Sequence, residues 1–366
     1  MFYYLSKLSE YFGALNVFQY LTFRAVMAGI TAFLVCLIFG NLVIRKLLSL
    51  KFGQPIRTKE EVNRLAILHG GKAGTPTMGG VLLIGAVVIS SLCWAKPENP
   101  FVWVVLFTAL VLAGLGFLDD YLKVSKQLSA GISGKIKLLI QFTVAGVITF
   151  YFLKTPELSG QAQAFYVPFF KDPLIQNLGI FTFLFYAAVI VGSSNAVNLT
   201  DGLDGLAAGC SATVAFSYGI LAYLAGNIKT ATYLQIPYIT YSAELTVVCM
   251  ALAGATLGFL WYNCHPAKVF MGDTGSLAIG GMIGAVAICC KQELLLLVVG
   301  GVFVMEALSV IIQVFVFKMT GKRVFAMSPI HHHFELKGWK ENTVIVRFWI
   351  LGIMFALMGL ATLKLR

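Results

Sequence analysis

Apolar runs of about 20 residues recur along the chain, separated by short polar segments. A helix rises ~1.5 Å per residue, so ~20 apolar residues cross the hydrocarbon core of a bilayer. The pattern predicts ten such spans, at 23–45, 78–95, 101–118, 136–153, 178–197, 205–225, 244–262, 275–290, 294–317 and 344–363. The run 275–290 is short, and 136–153 and 344–363 each carry a basic residue near their start that can snorkel to the interface. Residues 1–22 hold Lys7 and Glu10 and lack a clean apolar core, so they do not read as a cleavable signal peptide. Leu5, Leu8, Phe12 and Leu15 fall three or four apart, which predicts a short amphipathic helix along the interface. With no soluble insertion, internal repeat or low-complexity tract, 1–366 reads as a single all-α membrane domain.

An even number of spans puts both termini on one side and sorts the loops into two sets. One set is 46–77, 119–135, 198–204, 263–274 and 318–343. With Arg45, Lys137 and Arg347 at its margins it holds 18 of the 27 Lys and Arg residues. The positive-inside rule makes this set cytoplasmic and both termini periplasmic. All five histidines fall in the same set, as do Asp119, Asp120, Asp201, Asp204 and Asp273. The working face is therefore expected to be cytoplasmic.

Composition agrees with the pattern. Hydrophobic residues make up 58% of the chain and charged residues 12%, too few to solvate a soluble domain of this length. The net charge of +11 is spread over loops, which suits membrane lipids and an anionic substrate and argues against a nucleic-acid partner. The seven cysteines lie mostly inside apolar runs and read as buried thiols, not a disulfide framework.

Five segments could carry chemistry. Asp119 and Asp120 close the third span. They read either as a pair that holds a divalent cation or takes a proton, or as a solvated helix end with Asp119 pairing Lys123 at i+4. Asn195, Asn198, Asp201 and Asp204 stand three apart and can line one surface, with Gly202 and Gly205 allowing close approach to a ligand. A tight loop with Asp204 capping the next helix is the plainer reading. In 270–276, Asp273, Thr274 or Ser276 either caps the eighth span or adds a third acidic cluster; three converging clusters would suit Mg²⁺ with substrate phosphates completing its shell. His331, His332 and His333 lack zinc spacing; they read as donors to phosphate or proton carriers, or as a solvated loop. The glycine-rich stretch 70–80 with Lys72 could cradle an anion, although Ala73 rules out a Walker A loop. His265 beside Cys264 reads as structural, and Glu306 stands alone in mid-membrane, where a polar partner is expected.

Taken together, Lys72-Ala-Gly-Thr-Pro-Thr-Met-Gly-Gly, Leu118-Asp-Asp-Tyr, Asn195-Ala-Val-Asn-Leu-Thr-Asp-Gly-Leu-Asp-Gly, Phe270-Met-Gly-Asp-Thr-Gly-Ser and Ser328-Pro-Ile-His-His-His-Phe-Glu make the chain resemble a known family. It is similar to the bacterial phospho-N-acetylmuramoyl-pentapeptide transferases (translocase I), of the polyprenyl-phosphate N-acetylhexosamine-1-phosphate transferase superfamily. The match runs from Lys72 to the end, and the histidine segment discriminates best. The resemblance implies Mg²⁺-dependent transfer of phospho-MurNAc-pentapeptide from UDP-MurNAc-pentapeptide to undecaprenyl phosphate. UMP leaves and lipid I forms, at the cytoplasmic face of the bacterial plasma membrane, in peptidoglycan synthesis. It implies Asp273 as a metal ligand, with Asp119, Asp120 and His331 also catalytic. Lys72, Thr75, Thr77, Lys135, Asn195, Asn198, Asp201, Asp204, Asn263, Phe270, His332 and His333 would bind substrate, with Phe270 stacking on uracil. The family is a homodimer. A sister enzyme using UDP-GlcNAc and a cation-coupled transporter are the other readings; a transporter's acids should sit near the midplane.

Overall fold

Every predicted apolar run folds as helix, because a backbone in lipid must satisfy its own hydrogen bonds. The computed structural model describes residues 1–50, 74–125 and 131–363. The order is α1 (Leu21–Ser49), α2 (Gly80–Trp94), α3 (Pro100–Ser125), α4 (Gly134–Lys154), α5 (Pro156–Gln163), α6 (Phe181–Thr200), α7 (Leu206–Ala225), α8 (Ile228–Leu234), α9 (Leu245–Asn263), α10 (Gly272–Cys289), α11 (Leu296–Val299), α12 (Gly301–Thr320), α13 (Ile330–Leu336) and α14 (Glu341–Ala361). Among the described residues nine helices are long and apolar enough to cross a membrane. The remaining predicted span, α2, is a 15-residue apolar helix. Phe165 and Ile175 form an isolated antiparallel β-bridge.

The short run predicted at 275–290 turns out to be the centre of the bundle. Its helix α10 has 89% of its span buried, whereas α4 and α14 have 33% and α12 has 22%. Small residues (Gly, Ala, Ser) along α10 let α3 and α6 pack closely on it. A second group joins α1, α7 and α9. Outer helices turn Leu139, Phe150, Ile311 and Phe315 outward, as lipid-facing surfaces require. All seven cysteines are free, and five are buried.

Three features differ from the pattern's expectation. The run 294–317 is broken at Gly300, between α11 and α12, where adjacent glycines offer no side chain to hold a continuous turn. The amino-terminal segment forms two 3₁₀ turns, Phe2–Leu8 and Gly13–Gln19, whose Phe2 and Phe18 rings rest 4.8 and 5.9 Å from Trp94. Helices α5, α8 and α13 are only seven or eight residues long, too short for a periodic signal. Local chemistry starts two of them: Pro156 begins α5, and the Asn227 side chain caps α8.

At the membrane end remote from the acidic clusters, the buried Arg24 forms a two-pronged ion pair with Glu244 and donates to the Trp94 carbonyl at 2.9 Å. Glu244 also accepts from the Lys96 N–H at 2.7 Å. Removing one partner strands the other charge, so Arg24→Met should cost about 3–5 kcal/mol. A melting temperature within a degree or two of wild type in detergent would contradict this.

Candidate active site

The sequence-distant acids meet at one end of the bundle, where α3, α6 and α9 finish and α4, α7 and α10 begin. Asp119 and Asp120 lie within the last turns of α3, both buried. Because they are neighbours on a helix, they point in different directions and do different things. Asp120 turns toward α10 and caps it: its carboxylate accepts from the N–H of Asp273 at 3.2 Å, the N–H of Thr274 at 3.0 Å and the Thr274 hydroxyl at 2.7 Å. A carboxylate is favoured there, because the first N–H groups of a helix lack internal partners. Gly272, at φ 72°, permits the approach, since a Cβ there would lie 2.5 Å from an Asp120 oxygen.

Asp119 turns the other way. One oxygen accepts from the Ile132 N–H at 2.7 Å; the other lies 2.6 Å from Lys123 Nζ and 2.9 Å from Lys137 Nζ. Both the expected i+4 pair and a convergent site are thus present. The same two ammonium groups reach Asp273 Oδ2, at 3.3 Å from Lys123 and 2.6 Å from Lys137. Asp273 Oδ1 accepts from Asn198 Nδ2 at 2.9 Å, and that amide also reaches the Ser276 hydroxyl at 2.8 Å. Lys137, in sequence a basic residue at the margin of a span, stands here beside two of the acids. No spacing rule links it to Asp273, 136 positions away.

One oxygen each of Asp119, Asp120 and Asp273 lies within 4.8 Å of the other two. Three hard oxygen donors suit a cation such as Mg²⁺. The two ammonium groups already lodged on these acids are positive charges where a metal ion would sit, so the donor set fits the ion.

Asp201 follows α6 directly. Desolvation, then the charges of Asp273 and Asp120, raise its pKa to about 8. An ordinary aspartate titrates near ~3.9. Folding therefore favours the protonated form; Asp201's contribution to stability is fully present below ~3.9 and is lost as pH rises to about 8. With divalent ions chelated, the melting temperature of wild type should fall relative to that of Asp201→Asn between about pH 5 and pH 8. Parallel profiles would remove the argument.

Other predicted residues divide clearly. Asp204 is buried; its carboxylate lies 3.1 Å from His265 Nδ1 and accepts the Ala267 N–H at 3.1 Å, while its own N–H donates to Glu341 Oε1 at 3.1 Å. His265 thus braces a predicted binding residue. Asn263 is buried and donates to the Val269 carbonyl at 2.9 Å, while its Oδ1 has no hydrogen-bond partner among the described residues. The Phe270 N–H donates to the Pro76 carbonyl and the Gly79 N–H to the Phe270 carbonyl, both at 2.8 Å, which ties the Thr75–Thr77 stretch to the loop before α10. Thr77 is buried and Thr75 partly so. Asn195 faces elsewhere: its amide donates to Gln141 Oε1 at 2.9 Å and to the Val191 carbonyl at 2.8 Å, within a helix–helix network. Lys135 is exposed on the first turn of α4. His331 is buried, His332 Nδ1 lies 2.8 Å from Glu335, and His333 Nδ1 accepts the Ala326 N–H at 3.0 Å. Lys72 lies outside the described residues.

Residues 102–291, which include α4 to α10 and nearly all of α3, match the family model described as glycosyl transferase family 4. Residues 72–84, the stretch that leads into α2, match the phospho-N-acetylmuramoyl-pentapeptide-transferase signature 1. A curated relative from Methylacidiphilum infernorum (isolate V4), a phospho-N-acetylmuramoyl-pentapeptide-transferase, is 55% identical over 366 residues, covering 100% of both chains. At that identity, with the acids gathered at the helix ends, the chain belongs to the phospho-N-acetylmuramoyl-pentapeptide-transferase family.

Proposed function

We propose that this membrane protein transfers phospho-MurNAc-pentapeptide from UDP-MurNAc-pentapeptide to undecaprenyl phosphate. A phosphate oxygen of the lipid attacks the sugar-linked phosphorus, the bond to the bridging oxygen breaks, and UMP departs with that oxygen. The observation that carries the reading is the convergence of Asp119, Asp120 and Asp273 with Lys123, Lys137 and Asn198 at one end of the bundle. Transfer between phosphates needs alignment and charge neutralisation more than covalent help from protein.

Mg²⁺, when bound, would withdraw charge from the diphosphate; Asp273 and Asp119 would hold it. Lys123 and Lys137 then offset negative charge that develops on the transferred phosphoryl group and on UMP. Asp120 is spoken for: with three donors on its two oxygens, it orients Asp273 by fixing the start of α10. Neither member of the pair is a free base. None is required, since a phosphate monoester has a second pKa near ~6 and is largely dianionic at neutral pH. An apolar cavity of about 330 Å³, lined by Phe185, Val197, Leu297 and Phe303 among others, suits part of an isoprenoid tail. The site faces the cytoplasm in this reading, with both termini periplasmic and two copies in the assembly.

The test supplies purified protein with undecaprenyl phosphate and either UDP-MurNAc-pentapeptide or UDP-GlcNAc, and measures UMP. Release with the first nucleotide sugar alone, abolished by EDTA and restored by MgCl₂, is expected. Release with UDP-GlcNAc instead would favour the sister activity.

A further inference from the structure

Glu306 has no part in the reaction above, yet it is a fully buried acid far along the chain from the acidic clusters. It lies on the second turn of α12, fully buried, and no described donor satisfies its carboxylate oxygens by hydrogen-bond geometry. Leaving a carboxylate there is costly unless something charged or polar faces it. The group that does is His331 of α13, whose Nδ1 lies 3.1 Å from Glu306 Oε2 and whose ring is likewise fully buried. The opposite edge of that ring presses on Gly202. A Cβ at 202 would fall 2.3 Å from His331 Nε2, so glycine is what makes room for the imidazole. Gly202 sits between Asp201, which lies near Asp273 and Asp120, and Asp204, whose carboxylate rests against His265.

We infer that Glu306 is a positioning residue: it holds His331 by Nδ1, and the imidazole seats the Asp201–Asp204 loop. With its Nδ1 edge on the carboxylate, the ring carries a proton on Nδ1, and the Nε2 edge is turned to the loop. The His332 ring, 4.1 Å away and tilted by 59°, is tied to Glu335 and packs against the imidazole. The inference rests on the proposed site for its kinetic consequence, but its ring geometry is independent of any reaction.

Two measurements test it. In ¹⁵N spectra of histidine-labelled protein, with His331 assigned by its absence from His331→Gln, Nδ1 should be protonated in wild type and lose that preference in Glu306→Leu. This readout needs no turnover, so it stands even if the proposed reaction fails. In the UMP assay, Glu306→Leu and Gly202→Ala should each lower kcat/KM about 10–100-fold, the scale on which residues that orient a ligating histidine act. In the His331→Gln background either change should add less than about threefold, because residues acting as one unit are not additive. Glu306→Gln keeps the volume and an acceptor oxygen and should recover most of the loss, which guards against a folding defect in Glu306→Leu. An unprotonated Nδ1 in wild type, or full additivity of Glu306→Leu with His331→Gln, would overturn the inference.

Discussion

Replacing Asp273 with asparagine should lower UMP release by about three orders of magnitude while leaving the protein folded. The amide oxygen can still accept from Asn198 Nδ2, which reaches the carboxylate at 2.9 Å, so the start of α10 keeps its shape. What is lost is charge. The ammonium groups of Lys123 and Lys137, now shared between Asp119 and Asp273, would retain Asp119 alone. A cation would lose its most accessible anionic donor, since the Asp273 side chain is 15% exposed and that of Asp119 is fully buried. A carboxylate in the first turn of a helix contributes only about 0.3–1 kcal/mol to stability. Turnover and melting temperature should therefore separate. Activity within tenfold of wild type at saturating MgCl₂, in a monodisperse preparation, would remove Asp273 from the proposed chemistry.

The helices were legible because lipid leaves the backbone few alternatives, and their apolar runs are long. The acids were legible because a carboxylate at a helix end in a chain this poor in charge draws attention by type and place. The partners of those acids were not. Lys137 comes to Asp273 from 136 positions away, and Glu306 comes to His331 from another helix; such pairings are products of packing and leave no periodic trace. The stripe of residues three apart divides at Asn195. Spacing of three put it in line with Asn198, but the stripe drifts around the helix, and Asn195 ends on Gln141 while Asn198 reaches Asp273. Of the paired aspartates, adjacency alone could not reveal that one caps a helix and the other holds two lysines.

Lys137→Gln should change metal binding and turnover in opposite directions. Lys137 Nζ lies 2.9 Å from Asp119 and 2.6 Å from Asp273, where it offsets the repulsion between the two carboxylates. Unit charges about 4 Å apart interact by roughly 4 kcal/mol at an effective dielectric of ~20, with solvent reducing the net effect. Without that ammonium the carboxylates hold one less positive charge, and a divalent cation meets less competition. Apparent affinity for Mg²⁺, read as the MgCl₂ concentration that half-saturates the rise in melting temperature, should tighten about tenfold. Turnover should nevertheless fall by about a hundredfold, because one fewer cation faces the diphosphate when charge builds on UMP. A lysine that merely props the acids apart would behave otherwise: its loss would loosen the acids and weaken Mg²⁺ binding together with activity. A fall in metal affinity would therefore assign Lys137 to the scaffold, whereas tighter binding with slower transfer would identify an ammonium group that yields the acids to the metal and acts on the phosphates.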